Sequence, residues 1–259
     1  MIVGTAASRR ACMEAARHSG DTIILAFSRG KDSVAAWLWL AEFFPRVVPF
    51  HLAAVPGLGF VERSLSHYET FFGRKIDRYV SSELVAGLSQ LIYQPPHAED
   101  WIDAIGFEPH TIDSVVADVR RRHGCLRAWV AYGISRSDSI VRRSARKYDG
   151  GYSLPRRTLY PCFDWPKAQV LAAVEAGGCG LPEDYLMSNR TLSAAVPAER
   201  HLPRMRELFP EDYERVKFFY PLIEARLARN EFRMLRQRRP ERSPADATAP
   251  ATPGTAAAG

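Results

Sequence analysis

A chain of 259 residues is long enough for one large α/β domain, or for a domain with a small appendage. Hydrophobic residues make up 46% of it and charged residues 25%, so a core can form without disulfides or metal staples. The formal net charge of +6 suits a polyanionic partner, a nucleotide or a nucleic acid, although a solvated basic helix would give the same excess.

The four cysteines contain no Cys-x-x-Cys pair, so we expect neither a zinc site nor a redox pair. They are also too sparse for a secreted disulfide scaffold. No apolar run approaches the roughly 20 residues that cross a bilayer, and no hydrophobic signal core follows Arg9 and Arg10. We therefore expect a cytoplasmic protein with reduced thiols and no membrane partner.

Hydrophobic periodicity then predicts strands and helices in alternation along the chain. Residues 21–27 form a near-continuous apolar run, which is typical of a strand buried on both faces of a parallel sheet. The helix after it is predicted to end at Pro45. In chain order, the prediction is helix 7–18, strand 21–27, helix 32–44, strand 47–55, helix 61–72, strand 75–80, helix 111–123, strand 128–134, strand 157–163 and helix 166–176.

The C-terminal part of the sequence predicts helices and a tail, without further strands. Two helices are predicted at 198–208 and 211–237, the second bent by Pro221. From Pro240 the chain is rich in Pro, Ala and Thr without aromatic residues, so we expect a disordered tail. The prediction is thus a doubly wound, mostly parallel α/β sheet in residues 1–195, a helical extension in 196–239 and a tail in 240–259.

The loop between the first strand and its helix carries the chemistry. Unpaired backbone N–H groups at the start of that helix face the carboxyl edge of the sheet, where an anion is stabilised. Gly30 permits close approach, two serines add hydroxyl groups, and Lys31 and Arg29 add positive charge. A simple helix cap by Asp32 or Ser33 is the alternative. The full string is Ser28-Arg29-Gly30-Lys31-Asp32-Ser33, and it is not a Walker A motif, since Leu25 stands where that motif needs Gly.

This string resembles the PP-loop, Ser-Gly-Gly-Lys-Asp-Ser, of the adenine nucleotide alpha hydrolase-like superfamily, with Arg29 in place of the first Gly. Later segments are similar to the phosphoadenosine phosphosulfate (PAPS) reductase-like family of that superfamily. They occur in the family's order, over roughly residues 20–190. These segments are Gly59-Phe60-Val61-Glu62, Gly133-Ile134-Ser135-Arg136-Ser137-Asp138-Ser139 with Arg142 and Arg143, Tyr160-Pro161-Cys162-Phe163-Asp164-Trp165, and Leu181-Pro182.

The resemblance implies a Rossmann-like PP-loop fold and a site for ATP, PAPS or APS. Lys31 and Asp32 would be catalytic, and Asp32 would also place Mg²⁺ when ATP is used. The nucleotide would be held by Ser28, Arg29, Gly30, Lys31, Asp32, Ser33, Glu62, Arg136, Arg142 and Arg143. Asp164 could orient a basic residue of the site or cap the helix that starts near Pro166, and we favour the structural role, the cap. The histidines at 67, 97, 110 and 123 have no metal-ligand spacing.

The chain also departs from that family. PAPS reductases use a C-terminal Glu-Cys-Gly-Leu-His cysteine, whereas no cysteine here follows Cys179, and the Cys-Cys and Cys-x-x-Cys set for an iron–sulfur cluster is missing. We therefore expect no iron–sulfur cluster and no zinc. Cys179 would be an alternative nucleophile, but a buried thiol is the favoured interpretation.

Three functions follow. An ATP-using enzyme would adenylate an acceptor and release pyrophosphate. A sulfonucleotide enzyme would transfer a sulfur group, with a thiol supplied by a donor protein. A non-catalytic subunit would bind a nucleotide, or bind nucleic acid through the arginines of the C-terminal helix. Arg226, Arg229, Arg233, Arg236, Arg238, Arg239 and Arg242 make up that basic region.

Overall fold

The computed structural model describes residues 3–105, 110–134, 150–188 and 201–238. Their helices are all too short or too polar to cross a membrane. The chain divides into two compact units, Met1–Pro221 and Leu222–Gly259. The boundaries predicted at 195 and 239 stay predictions.

The first unit is built on one sheet of six strands in the order β3-β2-β1-β4-β6-β5. All neighbouring pairs are parallel except β5 with β6, which form an antiparallel edge. The mostly parallel α/β prediction is therefore confirmed. The strands are β1 Thr22–Ala26, β2 Arg46–Ala53, β3 Asp77–Val80, β4 Trp129–Tyr132, β5 Tyr152–Ser153 and β6 Thr158–Leu159.

The helices connect these strands and continue beyond them. A 3₁₀ turn at Pro96–Ala98 precedes α5. In chain order the helices are α1 Ala6–Ser19, α2 Lys31–Leu40, α3 Gly59–Phe72, α4 Ser82–Ser89, α5 Glu99–Ile105, α6 Ile112–Arg122, α7 Lys167–Gly177, α8 Tyr185–Ser188, α9 Leu202–Leu208, α10 Pro210–Phe219 and α11 Ile223–Arg238.

Alternation along β1 explains the two-layer covering of the sheet. Ile24 belongs to a buried cluster with Val116 and Val119 of α6, so α6 covers that face. Its neighbours Ile23 and Leu25 are equally buried and point the other way. On that opposite side, α2 contacts β1, β4 and α7. A strand buried on both faces is what the uninterrupted apolar run predicted.

The order of the strands creates a switch point between β1 and β4. The chain leaves β1 toward β2 on one side, and after β3 it crosses to β4 on the other side. Ala26 pairs with Tyr132, so both strands end at the same edge of the sheet. Open α/β sheets bind ligands in the crevice that such a divergence leaves. Residues 27–33 and 133–134 lie at this position.

Three boundary predictions need correction. Helix α2 ends at Leu40 rather than Phe44, and the following residues form turns before Pro45. The single bent helix at 211–237 is instead two helices, α10 and α11, because Tyr220 adopts φ −135° and ψ 70° outside the helical region. Pro221 follows directly, and a residue before proline is disfavoured from helical geometry. The short strand β5 was not predicted.

Candidate functional site

The loop begins as an extension of the sheet. The N–H of Phe27, the residue after β1, donates to the carbonyl of Phe50 at 2.8 Å. Ser28 is exposed, while Arg29 and Gly30 are buried. Arg29 has φ 66°, the left-handed region where glycine is favoured and where the resembled motif has Gly. The chain therefore turns sharply from β1 into α2 within four residues.

The N-cap residue of α2 provides no side-chain cap. It is Gly30, in extended geometry, and a distant residue supplies a side-chain acceptor to the first turn instead, since Tyr185 Oη accepts from the N–H of Lys31 at 2.9 Å. Asp32 lies in that turn but does not cap it. The helix-cap alternative of the sequence analysis thus fails for both Asp32 and Ser33. Uncapped N–H groups at the positive end of a helix dipole favour an anion.

The two serine hydroxyl groups shape the loop. Ser28 Oγ donates to Ser33 Oγ at 3.1 Å, and Ser33 Oγ donates to the carbonyl of Gly30 at 2.9 Å. Ser33 is buried and Ser28 is exposed. Both hydroxyl protons are used within the loop, and Ser28 is the serine that solvent reaches.

Lys31 and Asp32 form an ion pair at the mouth of the loop. Lys31 Nζ lies 2.5 Å from Asp32 Oδ2, and their side chains are 16% and 15% exposed. An ammonium group has three donors, so Lys31 can contact a phosphate while it keeps Asp32. Within one turn of the helix, Lys31 therefore offers a positive charge to a bound anion, and Asp32 offers a carboxylate to a cation that accompanies that anion.

Gly133 closes the back of the loop. It follows β4, and a Cβ atom on it would lie 2.3 Å from Ser33 Cα and 2.6 Å from Ser33 N. These are backbone atoms of the first turn of α2, so no side-chain movement would relieve the clash. Glycine at this position is what allows β4 to approach the anion loop, and it fixes the depth of the crevice.

Arg29 does not direct its charge to the loop. Its guanidinium pairs with Asp184, with Nη2 to Oδ2 at 3.1 Å and Nη1 to Oδ1 at 3.4 Å. The two side chains are 1% and 0% exposed. Because this charge is already matched, the contribution of Arg29 to an anion would come from its backbone N–H. Its place among the binding residues stays a prediction.

The remaining predicted residues lie apart from the loop or outside the described chain. Glu62 on α3 accepts from Arg78 Nε at 2.8 Å, so its carboxylate already has a cationic partner. Arg136, Arg142 and Arg143 lie outside the described residues. The roles of these four residues therefore stay predictions.

The prediction that Asp164 caps the helix after Pro166 is wrong, because its carboxylate is bound to α1 instead. Asp164 accepts from Thr5 Oγ1 at 2.9 and 2.7 Å, and Thr5 is itself the N-cap of α1. The helix that follows, α7, has Pro166 as N-cap and no side-chain cap. Trp165 Nε1 donates to Ser8 Oγ at 3.0 Å. The hydrogen bonds of Asp164 and Trp165 therefore hold α1 in contact with the segment that follows β6.

The cysteine side chains are buried, and most of the histidines considered in the sequence analysis form hydrogen bonds to other residues of the fold. All four cysteines are buried, Cys179 is 2% exposed, and burial raises the pKa of its thiol. A thiol of this kind is a poor nucleophile. Three of the four histidines have hydrogen-bond partners within the fold: His67 contacts the carbonyl of Cys179, His110 that of Val80, and His123 the carboxylate of Asp77.

Sequence analysis missed His51, which lies below the loop on β2. Its Nδ1 donates to the carbonyl of Phe27 at 2.9 Å, and the side chain is 6% exposed. Burial, with the charge of Arg29 adding to it, lowers the pKa of His51 from its ordinary 6.5 to about 3. A neutral imidazole therefore holds the carbonyl at which β1 becomes the loop.

This depressed pKa predicts a pH-dependent stability. Between pH 6.5 and about 3 the unfolded chain binds a proton at His51 that the folded chain does not, so stability falls as the pH falls through this window. From pH 7 to pH 5 we expect a loss of about 2 kcal/mol from this residue. Urea unfolding of wild type and His51→Asn, whose amide imitates Nδ1–H, should show the smaller pH dependence in the variant. Equal dependence in both proteins would show that His51 is protonated in the fold.

Sequence analysis also missed Asp184 and Tyr185. The phenol oxygen of Tyr185 accepts from the N–H of Lys31 at 2.9 Å, inside the anion loop. Both residues lie about 155 positions from the loop, and no motif or spacing in the sequence connects them to it. Two cavities of the described chain lie elsewhere: one, of about 400 Å³, is lined by Arg10 and Arg17 of α1, and another, of about 220 Å³, by Tyr79 and His110.

Comparison with known proteins gives fold neighbours only. No protein-family model matches the sequence, and no curated protein matches it. Among solved structures, it is similar to the U34-tRNA thiolase NcsA from Methanococcus maripaludis, at 11% identity and TM-score 0.42, over 84% of this chain and 79% of that one. It is also similar to the NH3-dependent NAD synthetase from Campylobacter jejuni, at 13% identity and TM-score 0.42, over 91% and 96%.

One prediction is contradicted by these neighbours. The thiolase is described with its 4Fe–4S cluster, so the expectation that a chain of this kind has no iron–sulfur cluster is withdrawn. It rested on cysteine spacing along the sequence, whereas cluster ligands need only be close in space. In the described ranges, no group of three His, Cys, Asp or Glu side chains lies close enough to hold a metal ion.

Proposed function

We propose that the chain is a PP-loop enzyme that uses ATP, with its phosphates held by the loop Ser28–Ser33. The observation that carries this proposal is the first turn of α2, which has no cap from its N-cap residue and begins at the switch point of the sheet, next to Lys31. The resemblance of the loop to Ser-Gly-Gly-Lys-Asp-Ser supports it independently. Gly133 supports it as well, because its lack of a side chain allows the end of β4 to pack directly against the backbone of the loop.

Each loop residue has a distinct role in this proposal. The backbone N–H groups of residues 30–33 donate to phosphate oxygens, and Ser28 adds an exposed hydroxyl. Lys31 neutralises the charge that develops on the departing pyrophosphate. Asp32 orients Lys31 and would bind a Mg²⁺ ion carried by the triphosphate. Glu62, Arg136, Arg142 and Arg143 are proposed as further contacts with the nucleotide.

The reaction class is adenylyl transfer. A nucleophilic oxygen of the acceptor attacks the α-phosphorus, the bond to the bridging oxygen breaks, and pyrophosphate leaves with the bonding electrons. Such chemistry needs positioning and charge neutralisation rather than a protein nucleophile. Reduction of PAPS, by contrast, requires a thiolate. Cys179 is 2% exposed and burial raises its pKa, which favours ATP over PAPS reduction.

Ligand-dependent stability tests this proposal. We expect ATP in Mg²⁺ buffer, at about 100 times its Kd, to stabilise the folded protein by about 2.7 kcal/mol, because it binds only the native state. Thermal unfolding with ATP, PAPS, APS and inorganic sulfate compares the candidates directly. A larger shift with PAPS or APS than with ATP would favour the sulfonucleotide enzyme. The absence of any shift with all the nucleotides would refute the proposal.

A further inference from the structure

A tyrosine hydroxyl occupies part of the proposed phosphate loop. Tyr185 begins the short helix α8, and its phenol oxygen accepts from the N–H of Lys31 at 2.9 Å. That N–H belongs to the first residue of α2, whose first turn has no other side-chain cap in the described chain. A protein oxygen therefore sits at hydrogen-bond distance from an amide that the proposed function gives to a phosphate.

In the segment 179–184, which precedes Tyr185, four of the six residues have contacts that hold them in position. His67 contacts the carbonyl of Cys179 at 2.7 Å, and Tyr68 Oη donates to the carbonyl of Gly180 at 3.2 Å. Glu183 forms a bidentate pair with Arg63, and Asp184 forms the buried pair with Arg29. Four contacts thus position the backbone that carries Tyr185. Its hydroxyl is placed at the loop by the fold and not by a free side chain.

We infer that Tyr185 is an affinity-setting residue of the nucleotide site, whose hydroxyl occupies the place of a phosphate oxygen and must be displaced when the nucleotide binds. This inference rests on the proposed function. An amide has one hydrogen, so the N–H of Lys31 serves either the phenol or the phosphate with good geometry. The ligand therefore has to replace a hydrogen bond that the empty protein already makes, and its affinity is reduced by that exchange.

The exchange requires only a local movement. Asp184 is held in its buried pair and Glu183 in its exposed one, so the backbone of the segment stays in place while the Tyr185 ring rotates about its side-chain bonds. Burial raises the pKa of Tyr185, which keeps the phenol neutral. A neutral phenol beside Lys31 is displaced by a phosphate more easily than a phenolate would be, because it carries no charge to compete with the anion.

Tyr185→Phe tests the inference, since it removes the hydroxyl and keeps the ring. We expect Tyr185→Phe to bind ATP and inorganic pyrophosphate about fivefold more tightly than wild type, the value of one net hydrogen bond. Tyr152→Phe, on the edge strand β5, is the matched control and should bind like wild type. Isothermal titration gives both affinities. Amide exchange of Lys31 by NMR should be faster in free Tyr185→Phe than in free wild type, and slow in both when ATP is bound.

The outcomes separate this inference from the function on which it rests. If wild type binds ATP and Tyr185→Phe binds it equally or less tightly, the competition is wrong and the proposed function stands. If neither protein binds ATP or pyrophosphate, both fail. Should Tyr185→Phe fold poorly, the wild-type protein still decides: the ring proton signals of Tyr185 must change on saturation with ATP, and unchanged signals would overturn the inference.

Discussion

Lys31→Ala is expected to weaken ATP binding by about 10- to 100-fold, which corresponds to the loss of one charge-assisted hydrogen bond. The variant also leaves the Asp32 carboxylate, now without the ammonium 2.5 Å away, next to an incoming polyanion. Both effects act at the first turn of α2 and not in the apolar core, although the pair is only 16% and 15% exposed. We therefore expect the free energy of unfolding to fall by about 1–2 kcal/mol, less than for the loss of one partner of a fully buried pair.

Lys167→Ala is the control for the loss of a lysine, since Lys167 is exposed on the first turn of α7. It should bind ATP like wild type. Titration calorimetry measures affinity, and urea unfolding measures stability in the same preparations. Unchanged affinity in a folded Lys31→Ala would place the nucleotide elsewhere in the molecule and remove the basis of the proposed function.

The parts that sequence predicts well are those whose signals are local. The apolar run at 21–27 gives β1, and the Gly-Lys-Asp-Ser string that follows gives the turn into α2 at its carboxyl end. A buried parallel strand followed by a glycine and a helix fixes which end of the sheet carries the loop. The helix predicted at 111–123 likewise agrees with α6, whose N-cap Thr111 accepts from the N–H of Ser114 three residues later.

The parts that sequence missed depend on contacts between distant segments. Arg29 was taken as a charge for the ligand, but its partner Asp184 is 155 positions away. His51 looked like one more residue of an apolar strand, and its role follows only from the carbonyl of Phe27, 24 positions away. The pairing of a buried side chain is set by tertiary packing, so no local pattern reports it.

The Arg29–Asp184 pair predicts the largest effect on stability. Asp184→Asn is expected to lower the free energy of unfolding by about 3–5 kcal/mol, because it leaves the Arg29 guanidinium buried without its counter-charge. The cost comes from the unpaired charge, so it should shrink when that charge is also removed. Arg29→Met with Asp184→Asn keeps an apolar stem in the same space, and the double variant should be more stable than Asp184→Asn alone.

Glu183→Gln is the adjacent comparison, because it also removes an acidic partner from an arginine. The side chains of Arg63 and Glu183 are 57% and 38% exposed, so solvent screens this pair and its loss should cost about 0–1 kcal/mol. Urea unfolding of the four proteins at pH 7 ranks them. A cost for Asp184→Asn as small as that for Glu183→Gln would mean that water reaches Arg29, and the anchor that holds Tyr185 at the loop would then be far weaker than its burial indicates.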